Sequence, residues 1–173
     1  ARTSAKRCAY IIAVSQEMKR WWELTGSDPN RTPYIPYGVN TERFYHVPNA
    51  RSILRLPTNK LIFLYVGRFA VEKGLLDLVD AVALISPKVN PAEVAFVLIG
   101  RGPMRQFVED KIKFYGLDDV FTLLDWVSQD LLPVWYSAAD ALILPSHSEA
   151  FSRTILEAMI CGTPVIGSAI TGT

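Results

Sequence analysis

Two carboxylates stand eight positions apart in one segment of the sequence, at Glu149 and Glu157. Glu149 precedes a predicted helix, so its side chain can point into a cleft. Glu157 lies in an otherwise apolar part of that helix, residues 155–160, where an unpaired carboxylate would be costly to bury. Sugar hydroxyls are suitable partners, because each can donate a hydrogen bond to a carboxylate oxygen. From the spacing alone, however, a surface position or an ion pair with Arg153 is the favoured interpretation of Glu157.

Two cations, Arg68 and Lys73, lie in a second segment that begins with Gly67 and ends with Gly74. Gly67 lets the chain turn sharply after an apolar run, and Gly74 permits close approach at the start of a helix. An arginine fork and a mobile lysine charge together suit a diphosphate. Two surface cations, with Lys73 paired to a neighbouring acid, explain the segment equally well.

Backbone donors are a third candidate feature. A helix is predicted over residues 151–161, and the N–H groups of Phe151, Ser152 and Arg153 would be unpaired donors in its first turn. Such donors can bind an anion with help from the helix dipole. The sequence therefore predicts an anion-binding position at the start of this helix.

Two other motifs indicate different chemistry, and both are disfavoured. The Gly-x-Gly at residues 100–102 lacks the third glycine of a dinucleotide fingerprint, which argues against a dehydrogenase. Ser146, His147 and Ser148 resemble a nucleophile with its base, but a catalytic triad needs distant partners, and the only other histidine is His46. A serine hydrolase is therefore disfavoured as well.

The composition is that of a globular domain: 173 residues, 50% hydrophobic and 20% charged. The formal net charge of +1 leaves no basic footprint, which excludes nucleic acid as the main partner. Two histidines do not make a metal cluster, so no metal site is expected. The two cysteines, Cys8 and Cys161, are predicted to be buried free thiols in a reducing compartment rather than a disulfide. No apolar run is long enough to cross a bilayer.

Apolar runs and helical periodicity alternate along the chain, most regularly after residue 60. Strands are predicted at residues 10–14, 61–66, 94–99, 120–123, 141–144 and 165–166. Helices are predicted at residues 16–24 with Ser15 as N-cap, 74–86, 103–115, 131–138 with Ser128 as a possible cap, and 151–161. Loops are predicted at residues 25–33 and 46–59, and a turn at residues 37–40.

This alternation predicts an α/β fold, a Rossmann-like doubly wound parallel sheet with helices on both faces. Ligands of such folds bind at the carboxyl ends of the strands. Binding residues are therefore expected in the segments that begin at residues 67, 100 and 145.

Residues 145–167 resemble the signature of group 1 (family 4) glycosyltransferases, in which Glu149 and Glu157 form the E-x7-E pair. Three further parts of the chain match that family in the expected order. Residues 12–15 and 35–40 look like its inter-domain passage, residues 66–74 look like its phosphate-binding segment, and residues 98–103 are similar to its middle strand and turn. The chain thus resembles the C-terminal lobe of a GT-B fold.

The resemblance implies a role for each matching residue. Arg68 and Lys73 would grip the donor diphosphate and stabilise the leaving nucleotide, and Glu149 would contact hydroxyls of the transferred sugar. Glu157 would bind the nucleotide ribose. The resemblance also implies that Val127 meets the base edge. Phe151, Ser152 and Arg153 would cradle phosphate and sugar, and Gly67 is the remaining donor-binding residue that the resemblance implies.

Three positions depart from the family pattern. The family often has glycine at the positions of Ala150 and Ser152, and asparagine at that of Tyr37. A larger residue at the first two positions would tighten the approach of the backbone to the sugar. All three departures therefore bear on the choice of donor.

The implied reaction transfers a hexose from a UDP-, GDP- or ADP-sugar to an acceptor hydroxyl of a glycan, lipid or small molecule, with retention at the anomeric carbon. No cofactor or metal ion is expected, because the sequence has no Asp-x-Asp and two cations with a helix N-terminus can neutralise the departing phosphate. A catalytically silent nucleotide-sugar-binding module and a sugar-nucleotide epimerase of the same fold are the alternatives.

The resemblance also divides the chain. Residues 1–33 would be the end of an N-terminal lobe and the inter-domain passage, and residues 34–173 a nucleotide-sugar-binding domain truncated at its C-terminus. The acceptor would bind the missing N-terminal lobe, so this fragment alone is expected to bind the donor weakly and to be inactive. The full-length protein is expected in the cytoplasm, with possible peripheral association with a membrane.

Overall fold

A computed structural model describes residues 8–88, 90 and 92–170 of the chain. Five parallel strands form one sheet: β1 (Leu61–Val66), β2 (Val94–Ile99), β3 (Phe121–Leu124), β4 (Ala141–Leu144) and β5 (Val165–Gly167). The strand order across the sheet is β3-β2-β1-β4-β5. The chain therefore adds strands on one side of β1 and then crosses to the other side at β4.

Helices connect the strands and also precede them. They are α1 (Gln16–Leu24), α2 (Ala50–Ile53), α3 (Leu75–Ile85), α4 (Arg105–Phe114), α5 (Leu132–Ala138) and α6 (Arg153–Ile160). Short 3-10 turns occupy Pro29–Arg31, Val71–Lys73 and Ser86–Lys88. As predicted, Ser15 caps α1, since its Oγ accepts a hydrogen bond from the Met18 N–H at 3.1 Å.

The sheet is covered on both faces, because successive side chains of a strand point to opposite sides. Tyr65 of β1 belongs to a core cluster with residues of α3 and α4, such as Val79. Its neighbour Leu64 belongs to a second cluster with Tyr136 of α5 and Ala158 of α6. This confirms the predicted doubly wound α/β fold.

The strand predicted at residues 10–14 is wrong. Within the described residues, this segment makes only one parallel bridge, between Ala13 and Tyr34. The Ile11 and Ala13 N–H groups donate to carbonyls at residues 31 and 33, at 2.9 and 3.0 Å. The Ile35 N–H returns a bond to the Ala13 carbonyl at 2.9 Å, but Pro33 has no N–H for the Ile11 carbonyl, so a second bridge does not form.

The observed turns and helices differ from the prediction at several positions. The turn lies at residues 41–43 rather than 37–40, and within it the Arg43 N–H donates to the Asn40 carbonyl at 3.2 Å. Residues 46–59 are not all loop but include α2. Ser128 does not cap α5 with its side chain, because Leu131 occupies the N-cap position. α4 begins at Arg105, two residues after the proline that was predicted in its first turn.

Glycines allow the loops at the carboxyl edge of the sheet to pack backbone against backbone. Gly74 has a φ of 63°, and a Cβ placed there would lie 1.9 Å from the carbonyl oxygen of Pro145. A Cβ at Gly100 would lie 1.8 Å from the carbonyl oxygen of Gly67. The loops after β1, β2 and β4 are therefore held together by positions that only glycine can occupy without displacement.

Candidate active site

An open cleft of about 390 Å³ lies at the carboxyl ends of β1 and β4, where the strand order reverses. This is the position at which doubly wound sheets bind ligands. Its walls are formed by the loops after β1 and β4, by the segment before α5, and by α6 with the residue before it. The polar residues that line it are Arg68, Lys73, Gln129, Glu149, Ser152, Arg153, Thr154 and Glu157.

Lys73 and Glu149 form an ion pair between the loops after β1 and β4. The Lys73 Nζ lies 2.6 Å from Glu149 Oε1, and the two side chains are only 20% and 8% exposed. The same Oε1 accepts a hydrogen bond from Ser146 Oγ at 2.8 Å. Within the described residues, the other oxygen, Oε2, has no hydrogen-bond partner. Glu149 is therefore charge-compensated on one side and available on the other.

Arg68 lies at the rim of the same cleft. Its guanidinium pairs with Glu72, and the Arg68 side chain is 67% exposed. A backbone hydrogen bond at Glu72, together with the charges of Arg68 and Lys73, lowers the pKa of the Glu72 carboxyl. The Arg68 carbonyl accepts a hydrogen bond from the Tyr65 hydroxyl at 2.8 Å, which fixes the backbone after Gly67. Arg68 thus has a fixed backbone and a side chain that solvent can reach.

Glu157 is bound by a buried phenol rather than by a cation. The Tyr136 hydroxyl donates to Glu157 Oε2 at 2.8 Å, and Tyr136 is 0% exposed. Burial, together with the neighbouring Glu157 carboxylate, raises the pKa of the Tyr136 hydroxyl. No ion pair between Glu157 and Arg153 occurs in the described part of the chain. The Arg153 interpretation of Glu157 is therefore wrong, and Glu157 is half-buried in the wall of the open cleft.

The helix after Glu149 begins two residues later than predicted. Ser152 is its N-cap, and its hydroxyl hydrogen-bonds the Thr154 hydroxyl at 2.9 Å instead of capping the backbone. Its first-turn N–H groups therefore start at Arg153, not at Phe151. Tyr37 covers this end, with its ring 5.6 Å from the Phe151 ring and 5.8 Å from the Arg153 guanidinium.

The structure brings together most of the residues that the sequence singled out. Eight of the nine line the one cleft: Gly67, Arg68, Lys73, Glu149, Phe151, Ser152, Arg153 and Glu157. Val127 does not line it and packs against the second core cluster, and Gln129 is the lining residue of that loop. The alternative in which Lys73 pairs with Glu72 or Asp77 is wrong, because Lys73 reaches across to Glu149.

Sequence reasoning missed two residues that hold the carboxylates. Tyr136 appeared only as part of a predicted helix, and Ser146 only as a disfavoured nucleophile. The signal for Ser146 was its position three residues before Glu149, at the end of a buried strand. No local signal marks Tyr136, because its partner lies 21 residues away.

The serine, histidine and acid near residue 147 do not form a catalytic triad. The His147 ring pairs with Asp77 of α3, and its backbone N–H donates to the Glu72 carbonyl at 2.8 Å. Ser146 donates to Glu149 instead. His147 therefore ties the loop after β4 to the loop after β1.

The two cysteines form no disulfide with each other. Cys8 is exposed and Cys161 buried, both as free thiols, so burial was predicted correctly only for Cys161. Burial raises the pKa of the Cys161 thiol to about 11.

Among the described residues, no three His, Cys, Asp or Glu side chains lie close enough to hold a metal ion. No helix of the described part has the length and apolarity that crossing a membrane requires.

Comparison with known structures supports the fold. Sucrose-phosphate synthase from Thermosynechococcus elongatus superposes with a TM-score of 0.87 and 34% identity, over 99% of this chain and 43% of that chain. Anabaena Alr3699/HepE, solved in complex with UDP and glucose, superposes with a TM-score of 0.84 and 23% identity, over 99% of this chain and 50% of that chain. The chain therefore matches half or less of each of these two proteins.

Sequence comparison identifies the family. D-inositol 3-phosphate glycosyltransferase 2 of Catenulispora acidiphila is 32% identical over 171 residues, which cover 94% of this chain and 40% of that protein. The chain thus spans about two fifths of the length of this relative. The family model for glycosyl transferases group 1 matches residues 47–173, which include the whole sheet and every residue of the cleft. This chain belongs to the group 1 family of glycosyl transferases.

Proposed function

We propose that this chain is the donor-binding part of a retaining glycosyltransferase, which transfers a hexose from a nucleotide diphosphate sugar to an acceptor hydroxyl. One observation carries the proposal. A single cleft, at the point where the strand order of the sheet reverses, is lined by two carboxylates and two cations. The sequence predicted these residues from segments up to 89 positions apart (68 to 157). A nucleotide sugar presents the complementary groups, a diphosphate and two sets of hydroxyls.

The diphosphate would bind between the loop after β1 and the start of α6. Arg68 is exposed and can turn from Glu72 towards a phosphate, to which its planar fork offers two donors. Lys73 supplies a second positive charge, and the first-turn N–H groups of α6 offer further donors. Since charge builds up on the departing phosphate, these groups would stabilise the transition state more than the bound donor. No metal ion is required in this proposal.

The sugar and the ribose would each meet one carboxylate. Glu149 has Oε1 occupied by Lys73 and Ser146, which leaves Oε2 to accept from hydroxyls of the transferred sugar. Glu157 has Oε2 occupied by Tyr136, which leaves Oε1 for the hydroxyls of the ribose. The base would lie near the segment before α5, where Val127 was predicted to meet its edge and Gln129 lines the cleft.

The names of the relatives support a nucleotide sugar as the ligand. Anabaena Alr3699/HepE has been solved with UDP-glucose bound, and it superposes on 99% of this chain with a TM-score of 0.83. The 2-deoxystreptamine N-acetyl-D-glucosaminyltransferase of Streptomyces fradiae is 32% identical over 141 residues. The names of the relatives point to different acceptors, 2-deoxystreptamine in this enzyme and D-inositol 3-phosphate in the Catenulispora acidiphila relative. We therefore assign the acceptor to the part of the protein outside this chain, and residence in the cytoplasm or at a membrane surface stays a prediction.

Calorimetric titration with UDP-, GDP- and ADP-sugars tests the proposal. One of the three should bind, and Glu157→Ala should abolish most of that binding. Glu109→Gln is the matched control, because Glu109 pairs with Arg105 on α4, away from the cleft. The proposal fails if none of the three binds, or if Glu157→Ala changes only stability. Product analysis with the full-length protein then separates a transferase from a silent module and from an epimerase.

A further inference from the structure

The Tyr136 hydroxyl is fixed from several directions behind the wall of the cleft. Tyr136 is fully buried, its ring packs against Phe44 at 6.2 Å, and its carbonyl accepts a hydrogen bond from Thr163 Oγ1 at 2.6 Å. Its hydroxyl reaches Glu157 Oε2 at 2.8 Å. Tyr136 does not itself line the cleft, whereas Glu157 does. Any effect of Tyr136 on a ligand must therefore pass through the Glu157 carboxylate.

A carboxylate side chain on a helix can adopt several rotamers. Binding a ligand restricts it to one of them, and the lost rotamer freedom lowers the affinity. The phenol restricts that freedom because it binds one oxygen of Glu157 and is itself fully buried. The other oxygen, Oε1, has no partner among the described residues and is left for the ligand. Since burial and the nearby carboxylate raise the pKa of Tyr136, the phenol stays protonated and remains a donor at neutral pH.

We propose that Tyr136 is a positioning residue, which orients the Glu157 carboxylate towards the two adjacent hydroxyls of the donor ribose. This inference rests on the proposed function, because it requires that Glu157 meets the ribose. Its consequence is selectivity. Tyr136 should strengthen the binding of a nucleotide that has both ribose hydroxyls and should have no influence on a nucleotide that lacks them.

The test uses the full-length protein and two probes. The first is whichever of UDP, GDP and ADP binds most tightly, and the second is the same diphosphate without its two ribose hydroxyls. Tyr136→Phe should weaken the first by about tenfold, as expected for one hydrogen bond to a charged group, and leave the second unchanged. An equal loss for both probes, or no loss for either, would overturn the inference.

A matched control comes from a second tyrosine–carboxylate pair. The Tyr115 hydroxyl donates to Asp80 Oδ1 at 2.9 Å, between α3 and the residue that follows α4. Tyr115→Phe removes the same kind of bond away from the cleft and should leave both affinities unchanged.

Two outcomes separate this inference from the proposed function. If the unaltered protein binds both probes equally, the ribose role of Glu157 fails, and the proposed function fails at that point. If it prefers the ribose form and Tyr136→Phe keeps that preference, only the role of Tyr136 fails. Should Tyr136→Phe not fold, Thr163→Val loosens Tyr136 by removing the bond to its carbonyl. It should weaken only the first probe, by about threefold, and an equal loss or no loss would overturn the inference.

Discussion

Glu149 and Glu157 line one cleft, but partners of different kinds hold them. Glu149 pairs with the ammonium of Lys73 and with a serine hydroxyl, across two loops. Glu157 receives a hydrogen bond from a neutral, buried tyrosine, across two helices. The negative charge of Glu149 is therefore compensated by a positive charge, whereas that of Glu157 is stabilised only by a hydrogen bond from a neutral donor.

The difference follows from where each carboxylate lies. Glu149 is 8% exposed, and a carboxylate so deeply placed would be destabilising without an opposite charge. Glu157 is half-buried at the cleft wall and keeps some access to water, so one strong donor suffices. Two acids with the same chemistry thus acquire different electrostatic environments from the elements that surround them.

The largest expected effect is on the Glu149 side. Lys73→Met leaves the Glu149 carboxylate buried without a counter-charge and should lower the free energy of unfolding by about 3 kcal/mol. The double variant Lys73→Met/Glu149→Gln should recover most of that loss, because the uncompensated charge is gone. Urea denaturation measures both. If the double variant loses as much as the two single variants together, the ion pair does not explain the burial of Glu149.

The Glu157 side should respond to high pH. The unfolded chain loses the Tyr136 proton near pH 10, whereas the folded chain keeps it, because the pKa of the buried hydroxyl is raised. The stabilising contribution is therefore complete below about pH 10 and is lost as the pH rises above it. Tyr136→Phe should reduce the slope of the free energy of unfolding against pH by about 1 kcal/mol per pH unit between pH 10 and 11, and by about 1.4 at higher pH. An unchanged slope in denaturation experiments between pH 10 and 11 would contradict this prediction.

A smaller effect is expected when Glu157 loses its charge but keeps its shape. In Glu157→Gln the amide carbonyl can still accept from Tyr136, so the free energy of unfolding should fall by only about 1 kcal/mol. Glu149→Gln should cost more, since it leaves Lys73 without its partner. Thermal unfolding of the two variants side by side measures the difference, and equal losses would mean that the two carboxylates are held alike.

The smallest effect is expected at Arg68. Its ion pair with Glu72 is largely exposed, so Arg68→Gln should change the free energy of unfolding by less than about 0.5 kcal/mol. The small change should disappear in about 1 M salt, where surface charges are screened. A loss of stability as large as that of Lys73→Met would show that the two cations contribute equally, although the Lys73 side chain is largely buried and that of Arg68 is exposed.

Much of the sheet could be predicted from the sequence, because buried parallel strands are continuous apolar runs. β1, β2 and β4 match their predicted bounds, and β3 and β5 differ by one residue. The failed strand at residues 10–14 has the same kind of apolar run, and it failed because Pro33 in its partner segment cannot donate. A strand depends on its partner, which a single segment does not reveal.

The candidate site was predicted in outline for the same reason. Residues after a strand of a doubly wound sheet meet at one edge, so Arg68, Lys73 and Glu149 could be placed together before any coordinates were known. Their pairing could not be predicted, since the sequence is equally compatible with an ion pair between Lys73 and an acid beside it. Distance in space, not in sequence, selected Glu149.

By itself, the sequence determined the alternation of strands and helices, the edge at which folds of this class bind ligands, and the E-x7-E pair at Glu149 and Glu157. These follow from local patterns of polarity and from resemblance to a family. The tertiary structure decided which group holds each carboxylate, as the choice of Tyr136 for Glu157 shows. The reason is physical: a buried charge takes the nearest donor that packing brings to it, and packing is a property of the whole fold.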